Sequence, residues 1–249
     1  MPIAVNAHSR VGRLLQIYEH VDGVVAAHFA RVGADHRPPC AAGCAHCCGH
    51  VFFWTSLELF TGLFAYGGLH PGEFAKLTYQ ADKLAQKVLR KHPSVLPQVR
   101  GWLEYGQIPS PEDLAEHETR WKTVGELPCL FLLHGRCSIY PHRPLVCRTY
   151  GWTRVFLPKT QQLLTPNCPP FAADPRAGDT LVFLPEYDSL RERIEVMSAA
   201  IATSILPLVA WFYGCAEIRA GVWPEKHHRL ACVEEWPREA ASPLRATAF

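Results

Sequence analysis

Over residues 10–33, Leu14, Ile17, Val21, Val24, Val25 and His28 recur at helical spacing. This predicts an amphipathic helix, which Gly33 and Pro38-Pro39 bring to an end. Thr55 or Ser56 suits the cap of a second helix, with Leu57, Leu59, Phe60 and Phe64 on its apolar positions and Gly67-Gly68 closing it. Residues 72–91 predict a third, polar-faced helix whose buried stripe is Phe74, Leu77, Leu84, Val88 and Leu89. Shorter helices are expected at 94–105 and at 111–122, the latter opened by Pro111, Glu112 and Asp113.

From 126 to 185 the helical period fades and proline and cysteine dominate, so loops and short strands around a fixed site are expected there. Helix is expected again over 186–220, and an irregular tail from 222. Residues 196–216 carry no formal charge and are long enough to cross a bilayer. Thr203, Ser204, Pro207, Gly214 and an alanine-rich composition favour a buried core helix instead. The fold class expected is mainly α: a single helical domain over 1–249 with an irregular cysteine-rich metal-binding centre. Its cysteine-cluster core spans 35–170, and the C-terminal helix at 186–220 packs on it.

Composition narrows the function. With 48% hydrophobic, 11% aromatic and 19% charged residues, the 249-residue chain is not a disordered one. A net charge of +2 gives no reason to expect nucleic acid as a partner. The first residues, MPIAVNAHSRVGRLL, lack the apolar core of a secretory signal. A cytoplasmic protein is therefore expected, with membrane association unlikely to contribute. In that compartment clustered cysteines point to metal or redox chemistry rather than to disulfides.

There are ten cysteines, and eight lie between 40 and 168. Cys40, Cys44, Cys47 and Cys48 crowd into nine positions, followed by Cys129, Cys137, Cys147 and Cys168. On a helix, 40, 44 and 47 would fall on one face within about 60°; in a loop, Cys44-x2-Cys47 keeps a chelating spacing. Arg136, Arg143, Arg148 and Arg154 lie close by in sequence and could offset a negative thiolate site. Arg148 is expected beside the ligands. His46, His50, His134 and His142 are read as polar loop residues, and Cys215 and Cys232 as packing thiols.

The run from Cys40 to Cys48, Pro128-Cys129 with Phe131, Cys137 to Tyr140, Arg143-Pro144, Cys147-Arg148 and Tyr150 resemble the CxxCxxCC (YkgJ-type) family of zinc- or iron-chelating proteins. The resemblance covers about 40–170. It implies a bacterial cytoplasmic protein whose metal ligands are Cys40, Cys44, Cys47, Cys48, Cys129, Cys137, Cys147 and Cys168, with Arg143, Arg148 and Tyr150 around them. The first spacing departs from the family name, because Ala41-Ala42-Gly43 puts three residues between Cys40 and Cys44. One branch of the family is described as flagellin lysine N-methylase.

Thiolates suit both iron and zinc. The long gaps Cys129-x7-Cys137-x9-Cys147-x20-Cys168 and the Cys168-Pro169 pair tip the balance to iron, as an iron–sulfur cluster such as 4Fe–4S, over zinc. Three functions stay open: a metal-binding protein serving redox, metal handling or sensing; an enzyme such as a protein lysine N-methyltransferase; or a structural metal site that supports a surface for a protein partner. No glycine-rich dinucleotide loop, P-loop, nucleophile elbow or His-Glu-x-x-His motif speaks for an enzyme.

Overall fold

The structure is a computed structural model that describes residues 6–32, 45–50, 52–70, 72–95, 127–150, 153–157, 162–164, 182–199 and 205–207. Five α-helices are present among them: α1 (Arg10–Val32), α2 (Ser56–Leu69), α3 (Phe74–Lys91), α4 (Leu145–Thr149) and α5 (Tyr187–Ser198). The strands are β1 (Phe53–Thr55), β2 (Leu132–Leu133), β3 (Arg136–Cys137), β4 (Thr153–Leu157), β5 (Gln162–Leu164), β6 (Val182–Phe183) and β7 (Ile205–Pro207). The described residues are mostly helical, as the periodicity predicts.

The helix ends follow local chemistry. Ser9 closes the start of α1: its Oγ accepts from Gly12 N–H at 3.0 Å and its carbonyl from Arg13 N–H at 2.9 Å. Thr55 caps α2 in a full capping box, its hydroxyl accepting from Glu58 N–H while the Glu58 carboxylate accepts from Thr55 N–H. In α3, Leu77, Val88 and Leu89 of the expected stripe are buried and Ala81 and Ala85 complete it, while Leu84 is only half-buried.

The core gathers Leu14, Ile17, Tyr18 and Val21 of α1, Leu57 of α2, Leu145 of α4, Leu184, and Leu190 and Ile194 of α5. Burying an aliphatic side chain of this kind contributes about 1.5–3 kcal/mol, so these nine positions dominate the helical part. A second packing point lies on the other side of α2. Phe131, fully buried, stacks on Trp54 at a centroid distance of 5.5 Å and meets Tyr66 at 5.9 Å. Gly62 makes this approach possible, since a Cβ there would sit 3.2 Å from Ile139 Cδ1 and 3.4 Å from Trp54 Cζ3.

Three small sheets complete the described fold. β1 pairs antiparallel with β7, Thr55 opposite Ile205 and Phe53 opposite Pro207. β2 and β3 form a hairpin. β4 lies between antiparallel β5 and parallel β6.

One expectation is corrected here. The segment 186–220 is not a single helix: α5 ends at Ser198, and 205–207 is a strand. Pro207 lacks the N–H a helix interior needs and would clash with the preceding turn. As the last residue of a short strand on β1 it is tolerated. No helix among the described residues is long and apolar enough to cross a membrane. The helices expected at 94–105 and 111–122 and the tail from 222 lie outside the described residues, apart from a 3-10 turn at Pro93–Val95.

Candidate metal centre

Five of the eight predicted ligands are described, and they come from two stretches of chain, 45–50 and 127–150. Cys47 and Cys48 sit on a 3-10 turn, His46–Gly49, closed by bonds from Cys48 N–H to Ala45 O and from His50 N–H to Cys47 O. The second stretch runs alongside this turn. Cys129 N–H donates to Cys48 O at 2.7 Å and Leu127 N–H to Gly49 O at 2.9 Å, so two cysteine segments far apart in sequence are joined backbone to backbone.

Cys137 follows on β3. The β2–β3 hairpin turns through His134 and Gly135, both at positive φ, 50° and 73°. This is the two-residue turn whose twist suits a hairpin, and glycine fills its second position without strain. Ser138 fastens the hairpin to its own base, its N–H and hydroxyl both donating to Phe131 O. Cys147 is carried by α4, one turn after Pro144.

The thiols interact. Cys47 and Cys48 hydrogen-bond each other, and Cys48 bonds Cys129. Hydrogen bonding to Cys48 and then burial push the Cys47 thiol far above its ordinary range. The bond to Cys129 and burial push Cys48 up to about 12. Burial raises Cys137, and burial together with Cys47, Cys137 and Cys48 raises Cys147 strongly. None of the five is in a disulfide. Arg143 opposes these shifts at Cys47, Cys137 and Cys147. It is the cation that faces the cluster, and it also lies over the Tyr140 ring at 4.1 Å.

Arg148 is held by partners that the sequence did not point to. Its side chain is almost wholly buried. Its guanidinium donates to Arg143 O at 2.9 Å, to Pro141 O and to Asp22 of α1, and lies over the Tyr18 ring at 4.2 Å. It ties the loop before Cys147 to α1, and its charge reaches Cys137 only as a minor influence. Tyr150 packs edge-on against Phe52 at 5.0 Å and at a tilt against the ring of His50 at 5.2 Å, the residue that closes the Cys47–Cys48 turn.

The histidines divide. His134 is exposed at the hairpin tip, and His142 Nδ1 is buried with no hydrogen-bond partner among the described residues. Burial, and then the Arg148 charge, lowers the His142 pKa.

Sequence reasoning missed Glu58. Its buried carboxylate accepts from Leu145 N–H at 2.9 Å, Thr55 N–H at 3.1 Å, the Thr55 hydroxyl at 3.2 Å and the Tyr18 hydroxyl at 3.4 Å. The pattern Thr55-x-x-Glu58 carried a signal, since that spacing is a capping box. Its link to α4 had none.

Cys40, Cys44, Cys168, Cys215 and Cys232 lie outside the described residues. Among the described residues, no group of three or more His, Cys, Asp or Glu side chains is arranged to hold a metal ion. The chemistry of the donors still fits a soft cation: mutually raised, partly buried thiols beside one arginine are a set that a thiophilic metal would stabilise as thiolates. Compared with family models, curated proteins and solved structures, the chain matches none.

Proposed function

We propose that this is a cytoplasmic metal-binding protein that holds iron or zinc on its cysteine cluster and serves redox chemistry, metal handling or sensing. The observation that supports this reading most is the backbone pairing of the Cys129 segment with the Cys47–Cys48 turn, with the Cys137 and Cys147 thiols and the Arg143 charge near enough to influence one another. Packed core thiols have no reason to be joined backbone to backbone and to share one cation. The resemblance to the CxxCxxCC family adds Cys40, Cys44 and Cys168 to the proposed ligand set.

In this reading the cysteines supply thiolates, and Arg143 offsets part of the negative charge that four thiolates leave on a divalent ion. Tyr150, Phe52 and the apolar residues around Phe131 limit water at the sulfurs. A bound iron–sulfur cluster would supply one-electron chemistry, and a zinc ion would supply structural closure or Lewis acidity.

The test is metal analysis and absorption spectroscopy of protein purified without oxygen. Broad visible absorption that bleaches on reduction is expected for an iron–sulfur cluster, and a colourless protein with stoichiometric zinc for the other metal. Protein that takes up neither metal, even after reconstitution with reduced thiols, overturns the proposal.

A further inference from the structure

We infer that Glu58 is the positioning residue for Cys147. The inference rests on the metal-centre reading only for its consequence, not for its geometry. α4 is five residues long, and a helix this short has no stability of its own. Its start is poorly provided for: Pro144 stands at the cap position and offers no side-chain hydrogen bond to the first turn. The Glu58 carboxylate, which belongs to α2, fills that place by accepting Leu145 N–H at 2.9 Å. Cys147 lies two residues further on.

The other side of Cys147 is held separately. Arg148 is fixed to Asp22, Pro141 O and Arg143 O, and Thr149 Oγ donates to Leu145 O. Cys147 is thus the residue between two anchors, one on α2 and one on α1. A carboxylate buried to this degree is costly unless it is hydrogen-bonded, and all four of its bonds go to just three residues: Leu145, Thr55 and Tyr18. Thr55 and Tyr18 belong to the frame, so among the described residues Leu145 is the partner through which Glu58 bonds the cysteine region directly.

Metal ligation tolerates only a few tenths of an ångström. A shift of α4 along its axis would therefore register at Cys147. Replacing an orienting group of this kind typically weakens metal binding 10–100-fold.

The experiment compares the wild-type chain with Glu58→Gln, Glu58→Asp, Cys147→Ser and the double variant E58Q/C147S, using cobalt(II) as the probe. Two readings are taken. One is cobalt affinity with the thiolate-to-metal absorption. The other is the rate at which iodoacetamide labels Cys147 relative to Cys137 in metal-free protein, mapped by peptide mass spectrometry. We expect E58Q to weaken cobalt binding about 10–100-fold and to alter its spectrum. E58Q should also speed Cys147 labelling several-fold with Cys137 unchanged, and E58D should recover part of both effects. In the C147S background E58Q should add little further loss, as coupled residues do.

Equal labelling at Cys147 in wild type and E58Q overturns the inference, as does a loss of affinity that simply adds to that of C147S. If E58Q does not fold, the same readings on E58D decide, a selective change at Cys147 being expected and unaltered labelling overturning the idea. A wild type that binds no cobalt while E58Q still exposes Cys147 overturns the metal reading and leaves the positioning role standing.

Discussion

The helical frame and the cysteine region are held together by different means. In the frame, α1, α2 and α5 bury aliphatic side chains against one another, and any one contact is one of many. The cysteine region has no comparable stripe. It hangs on Leu145 in the core, on one aromatic plug, Phe131, on two backbone bonds between 127–129 and 48–49, and on two charged groups that join it to the frame, Glu58 from α2 and Arg148 from α4. The frame is redundant, and the cysteine region depends on a few irreplaceable contacts.

The sharpest way to break the comparison is Phe131→Ala. Removing this fully buried ring should cost about 3–5 kcal/mol. Hydrogen exchange should show amides of 127–140 losing protection before those of α1. Leu14→Ala, of similar cost at about 2–5 kcal/mol, should lower both regions together. If Phe131→Ala instead unfolds the chain as one unit, the two regions are a single cooperative body.

Arg148→Ala comes next, at about 2–3 kcal/mol, because it strips two carbonyls and Asp22 of their donor and empties the space above Tyr18. Half of that pair is exposed, so the loss comes mainly from the buried carbonyls and the packing. Chemical denaturation measures it. Equal stability of variant and wild type would show that the loop is held without this arginine.

A smaller effect concerns pH. Burial raises the Glu58 pKa above its ordinary 4.5, against the opposing pull of the Leu145 and Thr55 donors and the Arg191 charge, with the Tyr18 hydroxyl facing it from α1. The native state then holds this proton more tightly than the unfolded chain does. Stability should therefore fall as pH rises from 4.5 through the raised native value, and level off above it. Denaturation midpoints across this range should show that decline in the wild type and lose it in E58Q.

Gly62→Ala is expected to move stability least, by no more than about 0.5 kcal/mol. Replacing a helical glycine by alanine gains up to about 1 kcal/mol. Crowding of Ile139 Cδ1 at 3.2 Å offsets most of it. A loss above about 1.5 kcal/mol in thermal unfolding would mean that the plug cannot yield at all.

The legible parts of this molecule are those with local causes. The α1 stripe, the Thr55 cap and the end of α3 are written in neighbouring residues, and they stand where the periodicity puts them. The spacing of the cysteines pointed to a common site, and of that expectation the structure describes the backbone pairing of 127–129 with 48–49. The strand at 205–207 was not legible, because an apolar run of alanine, isoleucine and leucine suits a helix equally, and its partner β1 lies far upstream. Glu58 was not either. A polar position in an apolar run reads as solvent-facing, and only the meeting of α2 with α4 makes it a cap. Arg148 was expected beside the thiols; its bonds to Asp22 and two carbonyls had no local signal.

The pairing of β1 with β7 also sets an order of events during synthesis. β1 directly follows the Cys47–Cys48 turn, and the strand that backs it is made only after most of the chain has left the ribosome. At the usual 5–20 residues per second, the interval between the two strands is on the order of ten seconds. Throughout that interval β1, close behind the Cys47–Cys48 turn, stands without its partner strand.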